Sequence, residues 1–120
     1  MDDLARHFWD GCAVGELRHR RCDACGATQA FPQAFCPACG SADVSWRVSA
    51  GSGTVHAATV VTRAPTESFR ALVPYAIVLV DLDDGPRMMA HGVPGLAVGD
   101  RVAVSFISHE GRHLPRFVPV

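Results

Sequence analysis

The sequence predicts a mainly-β protein built from an N-terminal helix, a four-cysteine rubredoxin-like zinc ribbon and a C-terminal Greek-key barrel. Three observations predict it. Cys22-x2-Cys25-Gly26 is followed, after ten residues, by Cys36-Pro37-x-Cys39-Gly40. Before the first pair, Leu4, Phe8, Trp9 and Cys12 recur at helical spacing. After the second pair, the composition turns to apolar and β-branched alternation broken by Gly-, Pro- and Asp-bearing turns. The expected organisation is a helix over 1–15, a ribbon over 16–45 and a barrel over 46–120.

The helix segment begins at Asp2 or Asp3 and ends near Gly11 or Gly15, residues suited to a helix start and stop. A helix of this length is marginal alone in water and must lie on a surface. Leu4, Phe8 and Trp9 form the apolar stripe that would meet it, either the chain's own core or a partner protein. Glu16-Leu17-Arg18-His19-Arg20-Arg21 then alternates as a strand entering the first knuckle. Its basic side chains read first as a solvated strand face, and second as a patch for ligand phosphates.

In each knuckle the glycine takes the positive backbone angle needed to aim two sulfurs at one point. The connector is shorter than the about 15–20 residues usual in zinc-ribbon patterns, but with Phe31, Pro32 and Phe35 it suffices for a small hairpin. Cys22, Cys25, Cys36 and Cys39 thus form a ligand set for one structural Zn2+. Four thiolates would also hold iron, as in an electron carrier, and ligand identity does not separate the two metals. Disulfides fit poorly, because a fifth cysteine, Cys12, remains and Met1-Asp2-Asp3-Leu4 opens without the apolar run of a secretory segment. A reducing, cytoplasmic setting is expected. Cys12 reads as a small apolar residue.

Six further strands are predicted, over 46–50, 54–63, 75–82, 87–92, 101–107 and 114–118, the first of them opening the barrel. Asp83-Asp84-Gly85-Pro86 and Glu110-Gly111 are hairpin turns, and Val98-Gly99-Asp100 opens a further strand. Short strands at this spacing fit a Greek-key barrel of the OB-fold type.

Composition narrows function. The chain has 120 residues and a formal net charge of -1, so no overall field draws it to nucleic acid or an anionic membrane. Nothing approaches the length of a membrane span. Six histidines are scattered with no local nucleophile or carboxylate pattern. Asp81, Asp83 and Asp84 belong to a hairpin end rather than to a metal or acid–base pair. Ala50-Gly51-Ser52-Gly53-Thr54 lacks the helix and lysine of a phosphate-binding loop.

The order and spacing of Phe8-Trp9-x-Gly11, Gly15-Glu16-Leu17, Arg21-Cys22-x2-Cys25-Gly26, Phe31-Pro32 and Cys36-Pro37-x-Cys39-Gly40-Ser41 carry a resemblance, continued by Gly51-x-Gly53-Thr54-Val55, Pro74-Tyr75 and Val80-x-Leu82-x2-Gly85. The chain resembles, along essentially its whole length, the DUF35 family of zinc-ribbon OB-fold proteins associated with acyl-CoA. That resemblance implies an accessory, non-catalytic subunit in a hetero-oligomer with a thiolase-like enzyme (thiolase or aldolase) or a MaoC-type hydratase. It implies that the barrel helps house the CoA or acyl part of the substrate, while ribbon and helix serve assembly. The loop Ala64–Leu72 interrupts two apolar strands, and long loops on rigid barrels often bind ligands. Within and beside it, Phe69 and Leu72 are candidates for an acyl chain or pantetheine arm, and Arg63 and Arg70 for the CoA phosphates. A rival from another class is a single-stranded nucleic-acid-binding OB module, but the barrel region offers few aromatics and modest positive charge.

Overall fold

The computed structural model describes residues 3–30 and 32–120. Asp2 as a helix-start residue and Phe31 as part of the connector lie outside the described residues. Helix α1 spans Asp3–Ala13, with Phe8, Gly11 and Cys12 buried. It ends where Gly15, at φ +79°, donates its N–H to the Cys12 carbonyl at 3.2 Å.

Strand β1 (Leu17–Cys22) pairs antiparallel with the short β2 (Thr28–Gln29) on one side and with β3 (Val44–Ser49) on the other. This corrects one expectation. The strand predicted to open the barrel at 46–50 instead pairs with β1 from Leu17↔Ser49 to Cys22↔Val44, making it the third strand of the ribbon sheet. Alternation alone does not tell a strand which neighbour it will meet.

The barrel is closed in the order β4-β5-β6-β8-β7, from β4 (Ser52–Val61), β5 (Tyr75–Leu82), β6 (Arg87–Gly92), β7 (Arg101–His109) and β8 (Arg112–Pro119). Between β4 and β5 the chain makes a 3₁₀ segment over Glu67–Leu72. All pairings are antiparallel except β6–β8, which run parallel through His91↔Arg116 and Gly92↔Phe117 and so complete the closure. Closure leaves no free sheet edge in this part of the chain. A bulge at His56 shifts the β4–β5 register between Val55 and Ala57. The hairpins at 83–86 and 110–111 form where expected, the second with both Glu110 (φ 49°) and Gly111 (φ 77°) in the left-handed region favoured by tight hairpins.

One core runs from the helix into the barrel: Phe8, Cys12 and Leu17 join Val55, Val78, Val80, Val102 and Phe117. Burial pushes the Cys12 thiol up to about 11, so it packs as an inert apolar residue. The basic run of β1 is not a solvated face. His19 and Arg20 are buried, Arg18 is half-buried, and Arg21 alone of the four is exposed. Arg20 donates to the Val44 carbonyl at 2.7 Å and lies over the Trp46 ring at 5.3 Å, so its charge is spent inside the fold.

Candidate functional site: the metal centre and an apolar cavity

The two knuckles are local copies of each other. Gly26 N–H donates to Cys22 O at 2.8 Å and Gly40 N–H to Cys36 O at 2.7 Å. Cys22 N–H donates to Ala27 O and Cys36 N–H to Ser41 O, both at 2.8 Å. Gly26 and Gly40 sit at φ +83° and +78°, the conformation the sequence pattern requires of them. The four Sγ atoms lie within 4.8 Å of one another, with Cys22–Cys39 and Cys25–Cys36 at 3.6 Å. Zinc–sulfur bonds of about 2.3 Å in a tetrahedron place sulfurs about 3.8 Å apart, so the geometry fits one Zn2+. Cys22 and Cys36 are buried and Cys25 and Cys39 exposed, so one sulfur of each knuckle faces inward. The backbone N–H of Cys39 is the leading cause holding the Cys36 thiol down at about 7, while the Cys25 and Cys39 thiols, crowded by the neighbouring sulfurs, are raised. With every coordination position taken by sulfur, the centre holds structure and offers no open site for substrate.

Between α1, the ribbon and the barrel lies an apolar cavity of about 460 Å³. Ala5, Phe8 and Trp9 form the helix wall, Ala30 and Pro32 the ribbon wall, and Met88, Met89, Ala90 and Leu114 the barrel wall. Phe69 and His91 also line it. Phe69 stacks on His91 at 5.7 Å and on His109 at 5.2 Å, while Tyr75 stacks on His91 at 4.6 Å. Burial, and secondarily the neighbouring His109, pushes the His91 pKa below its ordinary value. Ser68 Oγ donates to Glu110 Oε2 at 2.8 Å and lies 3.2 Å from His109 Nε2. These contacts tie the 3₁₀ segment to the β7–β8 hairpin.

The predicted residues are therefore divided. Cys22, Cys25, Cys36 and Cys39 converge. Of the four loop candidates, Phe69 reaches the cavity, Leu72 is half-buried outside its lining, and Arg63 and Arg70 are exposed. Of the helix candidates, Phe8 is taken up by the chain's own core, Leu4 is half-buried, and Trp9 is 37% exposed along the cavity. Sequence reasoning missed the pairing of His91 with Phe69 and the barrel wall of the cavity. His91, Met89 and Leu114 sit in ordinary strand alternation, and nothing local marks them. Among the described residues, no helix is long and apolar enough to cross a membrane.

Comparison with known proteins places these features. Residues 9–45 match the family described as ChsH2, rubredoxin-like zinc ribbon domain, and residues 46–106 match ChsH2, C-terminal OB-fold domain. A DUF35 domain-containing scaffold protein of Methanothermobacter thermautotrophicus is 26% identical over 95 residues, covering 75% of this chain and 71% of that protein. The 3-oxo-4,17-pregnadiene-20-carboxyl-CoA hydratase alpha subunit of Mycobacterium tuberculosis is 39% identical over 82 residues. That match covers 68% of this chain but spans only 25% of the hydratase subunit. Among solved structures, a chain of the Ltp2-ChsH2(DUF35) aldolase superposes with a TM-score of 0.85 at 27% identity, covering 99% of this chain and 96% of that one. A DUF35 protein of unknown function from Sulfolobus solfataricus shares the fold, with a TM-score of 0.67 at 12% identity. With residues 9–45 matching the zinc-ribbon model and residues 46–106 the OB-fold model, the chain belongs to the ChsH2 family of DUF35 proteins, which join a rubredoxin-like zinc ribbon to an OB-fold barrel.

Proposed function

We propose that this chain is an accessory subunit that docks on a thiolase-like enzyme (thiolase or aldolase) or a MaoC-type hydratase and helps house the CoA or acyl part of the partner's substrate. The observation that carries this reading is the end-to-end similarity, at a TM-score of 0.85, to a chain of the Ltp2-ChsH2(DUF35) aldolase. The relation to a CoA-thioester hydratase subunit points the same way. The chain's own chemistry supports an assisting role. Its metal centre is closed by four sulfurs and leaves no open coordination position for a substrate.

In this reading Zn2+ is structural and the ribbon with α1 serves assembly, with Leu4 and Trp9 the helix residues best placed to touch the partner and Phe8 supporting them from the core. Phe69 and Leu72 would border the acyl or pantetheine arm, and the exposed Arg63 and Arg70 would meet the CoA phosphates. A reducing, cytoplasmic setting suits five cysteines held without a disulfide. The test is a pull-down of the tagged, zinc-loaded protein from its native extract, with co-purifying chains identified by mass spectrometry. A stoichiometric thiolase-like or hydratase-like chain is expected, and recovery of nucleic-acid machinery would overturn the reading. Arg63→Ala with Arg70→Ala should weaken acyl-CoA binding by the assembled complex; unchanged affinity removes the phosphate assignment.

A further inference from the structure

The ribbon sheet is ordered β2-β1-β3, so among the described residues β3 has a neighbouring strand on one side only. The hydrogen bonds fix which of its main-chain groups face the free side. Asp23 N–H donates to Asp43 O at 2.8 Å, whereas Cys22 N–H turns away from β3 to Ala27 O. With the register Cys22↔Val44, the odd-numbered residues of β3 therefore exchange main-chain bonds with β1, and Val44, Trp46 and Val48 direct theirs outward. Val44 is satisfied there. Its N–H reaches Ala42 O at 3.0 Å, and its C=O accepts from Arg20 Nη2 at 2.7 Å. Among the described residues, the N–H and C=O groups of Trp46 and Val48 have no partner, and Val48 is 57% exposed. The barrel is closed and β2 is two residues long, so the six-residue β3 is where this chain presents main-chain groups to another strand.

Arg47 decides what can pair there. The four free groups of one copy and those of a second satisfy one another only in the twofold register Trp46↔Val48. That register sets Arg47 directly opposite Arg47, with Cα atoms about 4.5 Å apart. Like charges so placed oppose pairing, so the edge disfavours its own copy. The same guanidinium suits an acid on an incoming strand. Arg47 is exposed and gives Nη2 to Asp23 at 3.1 Å, and the remainder of its fork is unbonded among the described residues. Alternation puts Trp46 and Val48 together on the other face, where the Trp46 ring lies 4.5 Å from that of His7.

We propose that β3 is a docking edge at which an extended segment of the partner enzyme subunit adds antiparallel as a fourth strand, with an acidic residue opposite Arg47 and apolar residues opposite Trp46 and Val48. This rests on the accessory-subunit reading and adds to it the form of the partner's segment and the atoms that hold it.

The test is amide hydrogen exchange on the free, zinc-loaded chain and on its complex with the stoichiometric enzyme subunit recovered by the pull-down. In the free chain the Trp46 and Val48 amides should exchange fast, while those of Ser45 and Arg47, bonded to β1, exchange slowly. In the complex Trp46 and Val48 should become slow as well, at the every-second-residue spacing of a strand edge. Val48→Pro removes one outward donor and no bond to β1, so it should keep its zinc and Tm while lowering affinity for the subunit on the order of tenfold. If proline disturbs the ribbon, Arg47→Glu, at an exposed position, supplies the same test through charge. The proposal is overturned, with the accessory-subunit reading intact, if the subunit binds while the Trp46 and Val48 amides stay fast, or binds both variants as tightly as the wild type. A dimer of the lone chain that slows these two amides overturns it in favour of a second copy. Recovery of no enzyme subunit removes the accessory-subunit reading first and this docking edge with it.

Discussion

Arg18 lies across Gly11 and donates from Nη1 to the main-chain carbonyl of His7 at 3.0 Å, so β1 grips the helix through a side chain that only a glycine lets pass. Its Nε and Nη2 both donate to Glu16 Oε1, at 3.0 and 2.7 Å. A Cβ on residue 11 would stand 2.6 Å from Arg18 Cδ. Gly11→Ala gains about 1 kcal/mol of helix propensity. Displacing Arg18 forfeits hydrogen bonds to a charged group worth about 1.5–3 kcal/mol each. The variant should therefore melt several degrees below the wild type, and calorimetry showing an equal or higher Tm would refute this account of the glycine.

Zinc removal should unfold the ribbon before the barrel. Structural zinc contributes about 10–16 kcal/mol to small zinc-dependent folds, whereas the barrel closes on its own hydrogen bonds. Chelation should strip amide-exchange protection from Cys22, Gly26, Cys36 and Gly40 while Val78, Val80 and Val102 stay protected. Cys36→Ser should reproduce the pattern. Retention of a full equivalent of zinc by that variant would contradict the structural role given to the site.

Stability should fall on mild acidification because of His91. Its folded pKa is depressed, by burial first and by His109 second, below the about 6.5 of an unfolded chain. The unfolded state therefore takes up the proton first. The stabilisation is complete above about pH 6.5 and is lost as pH falls toward the folded value. Thermal melts across this range should slope downward with acid, and the slope should flatten in His91→Gln. An identical slope in the variant would place the titration elsewhere. Asp81 and Asp83, held low by hydrogen bonds from Arg87 and Arg101, act in a separate window below about pH 4.

Phe117 is fully buried, and its carbonyl accepts from Val93 N–H at 3.2 Å beside the only parallel pairing among the described strands. Phe117→Ala should cost about 3–5 kcal/mol. Urea titration should show a lower midpoint with loss of protection at Gly92 and Val93. A cost below about 1 kcal/mol would mean that the barrel closes without this ring.

Much of this was legible because it is local. Cysteine spacing, knuckle glycines and hairpin turns each need only a few neighbouring residues, and the five barrel strands carry their own alternation. What escaped is long-range. The destination of β3 depends on Leu17 and Cys22, which lie far upstream. Trp9 and Leu114 line one cavity from nearly opposite ends of the chain, and neither residue's neighbours announce the other. The charges misled for a related reason. Arg20 looks like surface until Trp46 and Val44 fold over it, while Arg63 and Arg70, next to an informative Phe69, remain in solvent.

Asp84 shows what an ordinary turn residue does once the chain is folded. Its carboxylate accepts from Ser49 Oγ at 2.9 Å and from Ala50 N–H at 3.1 Å, where the chain leaves the ribbon sheet for the barrel. Beside it, Gly85 lies so close to Thr28 of β2 that a Cβ would stand 2.9 Å from Thr28 Oγ1. The tip of a barrel hairpin thus locks the joint between the two modules at two points. Torque applied to the zinc knuckles passes into the β5–β6 hairpin instead of dissipating in a linker, so whatever grips the ribbon also steers the barrel.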